Sequence, residues 1–372
     1  PVEPGRWRFK WSVDYSQTAN RTVLDFASQN RELLLLNIWR MGRDAIERGR
    51  RDSWSNTPQR IYAAQRATQG RGTRADFERL LRRPQDRLPR GFILPSDQAD
   101  FNTAIKFVNT LLKSGIDVQR ASAAFTVNGR RYAAGSLVVK TDQAFAPHVL
   151  DMFEPQDHPN DFTHPGGPPI RPYDLTGYTL AYQMGVQFDR VLEGFDGPFE
   201  EVSAATLAPE PGLVRGSGQG GFLLDHRVND AFKVVNRLLA DGSEVHWVED
   251  PIAVDGVDYP AGAFYVAAVP GVRPLVEQLA SELGVDAHVV ARRPEGKTFR
   301  LSRPRIGLFD EYGGSISSGW TRYVLEDFGF EFSLVFPPEL DEGNLNAKYD
   351  VLVFPDGAIP EPGSHVLSVA DT

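Results

Sequence analysis

The chain has 372 residues, 41% hydrophobic and 24% charged, with a formal net charge of −9 and no cysteine. That length and composition suit two or three globular domains and exclude a disordered polymer. The missing thiols exclude a disulfide scaffold, a cysteine zinc site and a thiol nucleophile.

No apolar run approaches the ~18 residues of a membrane-spanning helix; the leucine run Leu33 to Leu36 is only four long. Residues 1–90 hold nineteen Lys/Arg, eighteen of them Arg, against ten Asp/Glu, whereas the remainder holds twenty-one against thirty-nine. The arginines alternate with acids, as in Glu47-Arg48-Gly49-Arg50-Arg51-Asp52, without interleaved aromatics. That pattern predicts ion pairing within the chain and no nucleic-acid partner. The opening Pro-Val-Glu-Pro-Gly has no Met and no charged, apolar leader, as expected of a mature or truncated start.

Residues 13–48 read as one long helix, with Val23, Leu24, Ala27, Leu34, Leu35, Ile38, Met41, Ala45 and Ile46 on one apolar face. Asp14 or Ser16 would cap it. Residues 53–90 form an Arg-rich linker or insertion, with short helices near Pro58–Thr68 and Arg74–Arg82.

An internal repeat follows. Residues 101–150 align with 228–277 at a constant offset of 127, with 17 identities in 50 pairs and no gap. Each copy begins with a buried strand, Phe92-Ile93-Leu94 or Phe222-Leu223-Leu224, and continues into a helix ended by Gly115 or Gly242. A strand through Val118 or Val245 comes next, then a hairpin turning at Asn128-Gly129 or Asp255-Gly256, the strongest short hairpin signal. A last helix starts near Pro147 or Pro274. The expected fold is therefore α/β, with duplicated β-α-β-hairpin-α units at 91–200 and 201–303. The first copy carries a Pro- and Gly-rich loop, Glu154 to Tyr173, and a short helix over Thr176 to Met184.

From Pro304 to the end the pattern changes. Ile306 to Phe309, Phe332 to Phe336 and Val351 to Phe354 read as strands, with a helix over Ser318 to Phe328, which predicts a parallel sheet. Residues 304–372 supply too few strands for a complete doubly wound sheet.

Several residues invite chemistry. His246 and Glu249 form an HxxE, the spacing of two zinc ligands, and His365 stands 116 residues beyond as a third. Against this, the matching positions of the first copy are Gln119 to Ser122, so the motif falls on a strand of the repeated unit. His158, Asp161 and His164 form a second possible cluster, in a proline-rich loop without rigid support. Gly216, Gly218 and Gly221 match a dinucleotide fingerprint but precede a strand instead of following one. Gly296-Lys297-Thr298 resembles the end of a phosphate loop, with Ala291 where its first glycine belongs. Ser315, Ser317 and Ser318 read as helix caps, with an anion at that N-terminus as the alternative. No serine has the flanking glycines of a nucleophile elbow.

Several long stretches resemble large bacterial proteins of the zinc carboxypeptidase family typified by carboxypeptidase A. They are NRELLLLNIWRMGRDAIERG (30–49), DMFEPQDHPNDF (151–162), HPGGPPIRPYDLTGYTL (164–180), PRIGLFDEYGGSISSGWTRYVLEDF (304–328) and FPPELDEGNLNAKYDVLVFPDGAIP (336–360). The resemblance implies that residues 1–52 are the terminal helix of an upstream carboxypeptidase domain. It implies that the HxxE pair, the later His and the general-base Glu all precede Pro1. It further implies that 304–372 begins a flavodoxin-like sheet similar to class I amidotransferases, without their nucleophile. The tail from Glu361 departs from the family pattern. A secreted or periplasmic location, zinc in the intact protein and none held by this chain, and a peptide substrate belong to the same expectation.

Three readings follow. The first is an accessory, non-catalytic region docked on the upstream carboxypeptidase domain. The second is a module binding peptides or cell-wall fragments through Asp310, Tyr312 and Trp320 at strand ends, where ligands of open α/β sheets gather. The third is a self-contained zinc hydrolase built from His246, Glu249 and His365.

Overall fold

A computed structural model describes residues 7–155, 161–170, 177, 179–203 and 205–359. The chain divides into two compact units, Pro1–Leu207 and Ala208–Thr372.

The first unit opens with two helices, α1 (Phe9–Gln29) and α2 (Arg31–Gly49), where one was expected. The break is at Asn30, whose side-chain amide donates to the Phe26 carbonyl and so competes with the helical ladder. The helix also starts earlier than expected: Arg8 precedes it without a side-chain cap, so neither Asp14 nor Ser16 caps it. The anticipated apolar face is largely unburied, since α1 buries no residue and α2 buries only Ala45.

Helices α3 (Pro58–Ala67) and α4 (Arg74–Leu81) fall where the sequence suggested, each with a capping threonine. Thr73 and Asp76 complete a reciprocal capping box. The arginines pair with acids of the same unit, including Arg60 with Asp86 and Arg87 with both Asp52 and Glu193.

The sheet of this unit is built from β1 (Gly91–Leu94), β2 (Gln119–Ala121), β5 (Leu137–Lys140), β6 (Asp189–Val191) and β7 (Phe199–Glu201). Their order is β6-β1-β5-β2-β7, and every pairing is antiparallel. A hairpin, β3 (Phe125–Val127) and β4 (Arg130–Tyr132), pairs separately. Strand alternation sends Phe92, Leu94, Leu137 and Val139 to one face, against α5 (Phe101–Lys113), α6 (Ala146–Phe153) and α7 (Leu180–Gln183). Ile93 and Val138 go to the other face, under Phe125, Val127 and Tyr132 of the hairpin. The hairpin turns at Asn128 and Gly129, with φ of 48° and 79°; two left-handed residues in succession are what a two-residue hairpin requires.

The second unit contains the strands β8 (Val214–Arg215), β9 (Phe222–Leu224), β10 (Val245–Val248), β13 (Phe264–Val266), β14 (Ala287–Val289) and β15 (Thr298–Arg300). Their order is β15-β10-β13-β9-β14-β8, antiparallel except for β14 with β8. The helices α8 (Asn229–Ala240) and α9 (Val272–Leu283) cover one face, burying Val234, Leu238, Val276 and Leu279. The hairpin β11 (Ile252–Val254) and β12 (Val257–Tyr259) covers the other, turning at Asp255 and Gly256 with φ of 50° and 79°.

The same unit ends in a three-stranded parallel sheet ordered β17-β16-β18, from β16 (Ile306–Phe309), β17 (Phe332–Val335) and β18 (Val351–Val353). Helix α10 (Ile316–Asp327) connects the first two strands; the short α11 (Pro337–Asp341) and α12 (Leu345–Lys348) lead to the third. The whole is mixed α/β. Among the described residues no helix is long and apolar enough to cross a membrane.

Candidate functional site

The carboxyl edge of the parallel sheet is the place where this architecture offers ligand-facing loops. At the end of β16 the chain must leave the sheet and enter α10 within six residues. Asp310 accomplishes the turn. Its carboxylate is buried, and Oδ1 accepts the amides of Glu311 (2.9 Å) and Ser315 (3.3 Å). Between them Gly313 and Gly314 take φ of 98° and 75°, a pair that side chains would strain. Ser315 then caps α10, its Oγ accepting the Ser318 amide at 3.0 Å, as the sequence suggested.

Asp310 is thus largely engaged in shaping its own loop. Its second oxygen lies 3.9 Å from Arg322, one of the residues that sequence reasoning did not single out. Tyr312 is 78% exposed and stacks on Phe336 at 4.9 Å; Trp320 is 67% exposed and meets Tyr323 edge-on at 6.0 Å. The two predicted aromatics therefore have different ring partners. They present apolar faces, with polar tips, to whatever approaches. Ser318, in the first turn of α10, is fully buried, and its Oγ has no hydrogen-bond partner.

The HxxE residues diverge. His246 is buried on β10, facing Tyr265 of β13 and Arg300 of β15, whereas Glu249 follows the strand as an exposed residue. Residues three apart on an extended chain point to opposite sides, so they do not converge on one ion. The carboxylate that does approach His246 is Glu244, with Oε1 2.7 Å from Nε2. The His246 hydrogen bond is the main cause that holds the Glu244 carboxyl below its ordinary value. Arg293 lies 3.3 Å from the same ring nitrogen and 5.8 Å from the centre of the Tyr265 ring. Sequence reasoning missed this Glu244–His246–Arg293 cluster. The available signal was Glu244 and His246 two apart, hence on one strand face.

His164 is exposed beside the Pro165 carbonyl, and Asp161 is exposed as well. His158 and His365 lie outside the described residues. Among the described residues no three His, Asp or Glu side chains stand close enough to hold a metal. Gly216, Gly218 and Gly221 lie between β8 and β9, and Cβ atoms there would press on the Val289, Val290 and Val266 carbonyls, a packing role. Comparison of the chain with protein-family models, curated sequences and solved structures gives no match.

Proposed function

We propose that this chain is the accessory, non-catalytic region of a zinc metallocarboxypeptidase whose catalytic domain precedes it. One observation carries the reading: the apolar surface of α1 and α2. Phe9 is 83% exposed, Leu35 64% and Met41 73%, and Trp11, Leu24, Phe26, Leu33, Ile38 and Trp39 are exposed as well. Helix α1 buries no residue and α2 only Ala45, so most of their apolar surface is left uncovered by their own unit. The run Leu33 to Leu36 puts leucine on every side of the first turns of α2, more apolar surface than one packed face needs. Helices of this kind fit the terminal helix of a folded domain lying upstream.

The remaining parts fit the same reading. The two antiparallel sheets have matching strand orders, and both hairpins turn at residues 127 apart, which supports reading them as copies of one unit. The 2-1-3 parallel order of the last sheet supports its reading as the start of a flavodoxin-like, amidotransferase-like domain. In the intact protein, itself secreted or periplasmic on this reading, zinc held upstream would activate water against the C-terminal peptide bond of a peptide substrate. This chain would wall the cleft.

Hydrogen exchange tests the reading. With a carboxypeptidase domain restored ahead of Pro1, amides of α1 and α2 should exchange far more slowly than in the isolated chain. Equal exchange in both would sink the docking role. The second reading, a peptide- or wall-fragment-binding module, draws on the exposure of Tyr312 and Trp320.

A further inference from the structure

One face of the second sheet carries a row of paired residues beneath the β11–β12 hairpin. His246 of β10 faces Tyr265 of β13, Tyr265 faces Leu223 of β9, and Leu223 faces His288 of β14. Residues directly opposite one another point to the same side of a sheet. The hairpin covers that side: the Tyr259 hydroxyl is 2.8 Å from Nδ1 of His288, and Ile252 and Val254 pack with Leu223 and Tyr265. Three strand spacings separate the two histidines, which sets their Cα atoms roughly 14 Å apart.

Between β14 and β15 the chain returns across the same face and lays Arg293 against His246 and the Tyr265 ring. Hairpin and returning loop flank a cavity of ≈ 410 Å³, a size that suits a small ligand. Ile252, Val254 and Val290 give it an apolar wall; Ser217, Asp255 and Arg293 are among its polar groups.

The two ends of the row differ in charge. Beside His246 the contacts of the Arg293 guanidinium are all long, 3.3 and 3.5 Å to the imidazole and 3.5 Å to both Glu244 and Thr298. Glu244 gives its short contact, 2.7 Å, to His246, and Arg300 stands opposite His246, so one positive charge is in excess there. Arg292 is taken up by Glu295 at 2.9 Å. Around His288 and Tyr259 the charges are Arg215 with Asp286 and Arg227 with Asp225, two pairs that cancel. Asp255 is the carboxylate in excess. A Cβ added at Gly216 would stand 3.2 Å from its Oδ2 and 3.7 Å from the His288 ring, which places this carboxylate at the His288 end. Among the described residues no hydrogen bond or ion pair engages it.

We propose that this trough binds a linear peptide of about three residues as a zwitterion. Its ammonium sits on Asp255, its carboxylate on Arg293, and its central apolar side chain against Ile252, Val254 and Val290. Charge and length select the ligand. A guanidinium matches a carboxylate through paired N–H donors, and an unpaired carboxylate accepts from an ammonium. Three extended residues reach roughly 10 Å, and a contact of roughly 3 Å at either end completes the span between the two charges. A single amino acid carries both charges on one carbon and cannot meet both. The inference rests on the second sheet alone and does not depend on the metallopeptidase reading.

The probe is Ala-Val-Ala, titrated into the full chain with amide NMR as the readout. Saturable shifts are expected at Ser217, Asp255 and Arg293. Capping either end, as acetyl-Ala-Val-Ala or Ala-Val-Ala-amide, should weaken binding at least about tenfold, and free valine should not saturate. Asp255→Asn removes the charge and suits the left-handed turn position, φ 50°. It should weaken Ala-Val-Ala at least about tenfold yet leave the acetylated peptide within about twofold of its affinity for the parent. Arg293→Gln should act the same way on Ala-Val-Ala and spare the amidated peptide, with Arg293→Lys falling between Gln and the parent; circular dichroism checks that the variants fold. No saturable shift, shifts confined to other parts of the chain, equal binding of free and capped peptides, or valine binding as tightly as the tripeptide would overturn the proposal. So would folded variants that weaken free and capped peptides alike.

Discussion

Asn109 and Asn236 occupy matching positions in the two repeated segments, and both carboxamides fasten a later stretch of chain. Asn109 Nδ2 donates to the Leu207 carbonyl at 2.9 Å, and its Oδ1 accepts the Leu207 amide at 2.6 Å. The clip holds Leu207 against the helix-covered core of the first sheet. Asn109→Ala leaves two part-buried main-chain groups without partners, at about 1 kcal/mol each and up to ~3 where water cannot substitute. The expected loss is therefore about 2–6 kcal/mol, read from the urea midpoint at unchanged slope. Asn109→Asp keeps the acceptor for the Leu207 amide but turns a carboxylate on its carbonyl. The protonated acid can donate there, so this variant should recover stability as pH falls through the carboxyl range. Asn236 makes one such bond, Nδ2 to the Phe328 carbonyl at 2.9 Å, so Asn236→Ala should cost roughly half as much. An Asn109→Ala protein within about 0.5 kcal/mol of the parent, with Leu207 exchange unchanged, would refute the reasoning.

Gly129→Ala and Gly256→Ala should each cost about 1 kcal/mol or more in denaturant unfolding, because both positions hold φ of 79°; a neutral result at both would count against the hairpin geometry. Burial first, then Asp189, pushes the Tyr132 hydroxyl up to about 12; burial first, then Asp225, does the same for Tyr259. Since both folded values exceed the unfolded one of about 10, this contribution is intact below pH ~10 and is lost as pH climbs from 10 to 12. Spectroscopic titration of the folded chain should show tyrosines lagging the main ionisation, and Tyr132→Phe or Tyr259→Phe should shrink the lag. Ser318→Ala removes a buried hydroxyl without a partner and should be neutral or stabilising by calorimetry; a loss above ~1 kcal/mol would mean that the hydroxyl is bonded.

The legible parts of this fold are those where local chemistry and tertiary packing agree. The turns at Asn128-Gly129 and Asp255-Gly256 were readable because few dipeptides accept two left-handed residues. Helices α5 and α8 were readable from their periodic apolar faces, which do bury Val108, Leu111, Val234 and Leu238. The closing strands β6, β7 and β14 left no such trace. Each has three residues, too few for a period of two to register, and partners far away in sequence create them. In α1 and α2 the apolar face was legible, but its burial was not, because a sequence pattern says that a face wants covering and not what covers it.

The candidate site divides the same way. Ser315 as a cap and exposed Tyr312 and Trp320 after β16 could be anticipated from the strand-to-helix pattern. That Asp310 would turn inward on the Glu311 and Ser315 amides could not, since a short carboxylate at a strand end serves loops and ligands alike. The pairing of His246 with Glu244, in place of Glu249, follows from strand alternation once β10 is known to be extended. Arg293 reaches that cluster across 47 residues, beyond any local pattern.

The location of the hydrolytic groups is open to direct measurement. The measurement is release of C-terminal amino acids from peptides by the zinc-supplemented 372-residue chain, with and without a chelator. No release above the blank in either condition is predicted. Cleavage that the chelator abolishes would contradict the claim that zinc and its activated water belong to an upstream domain.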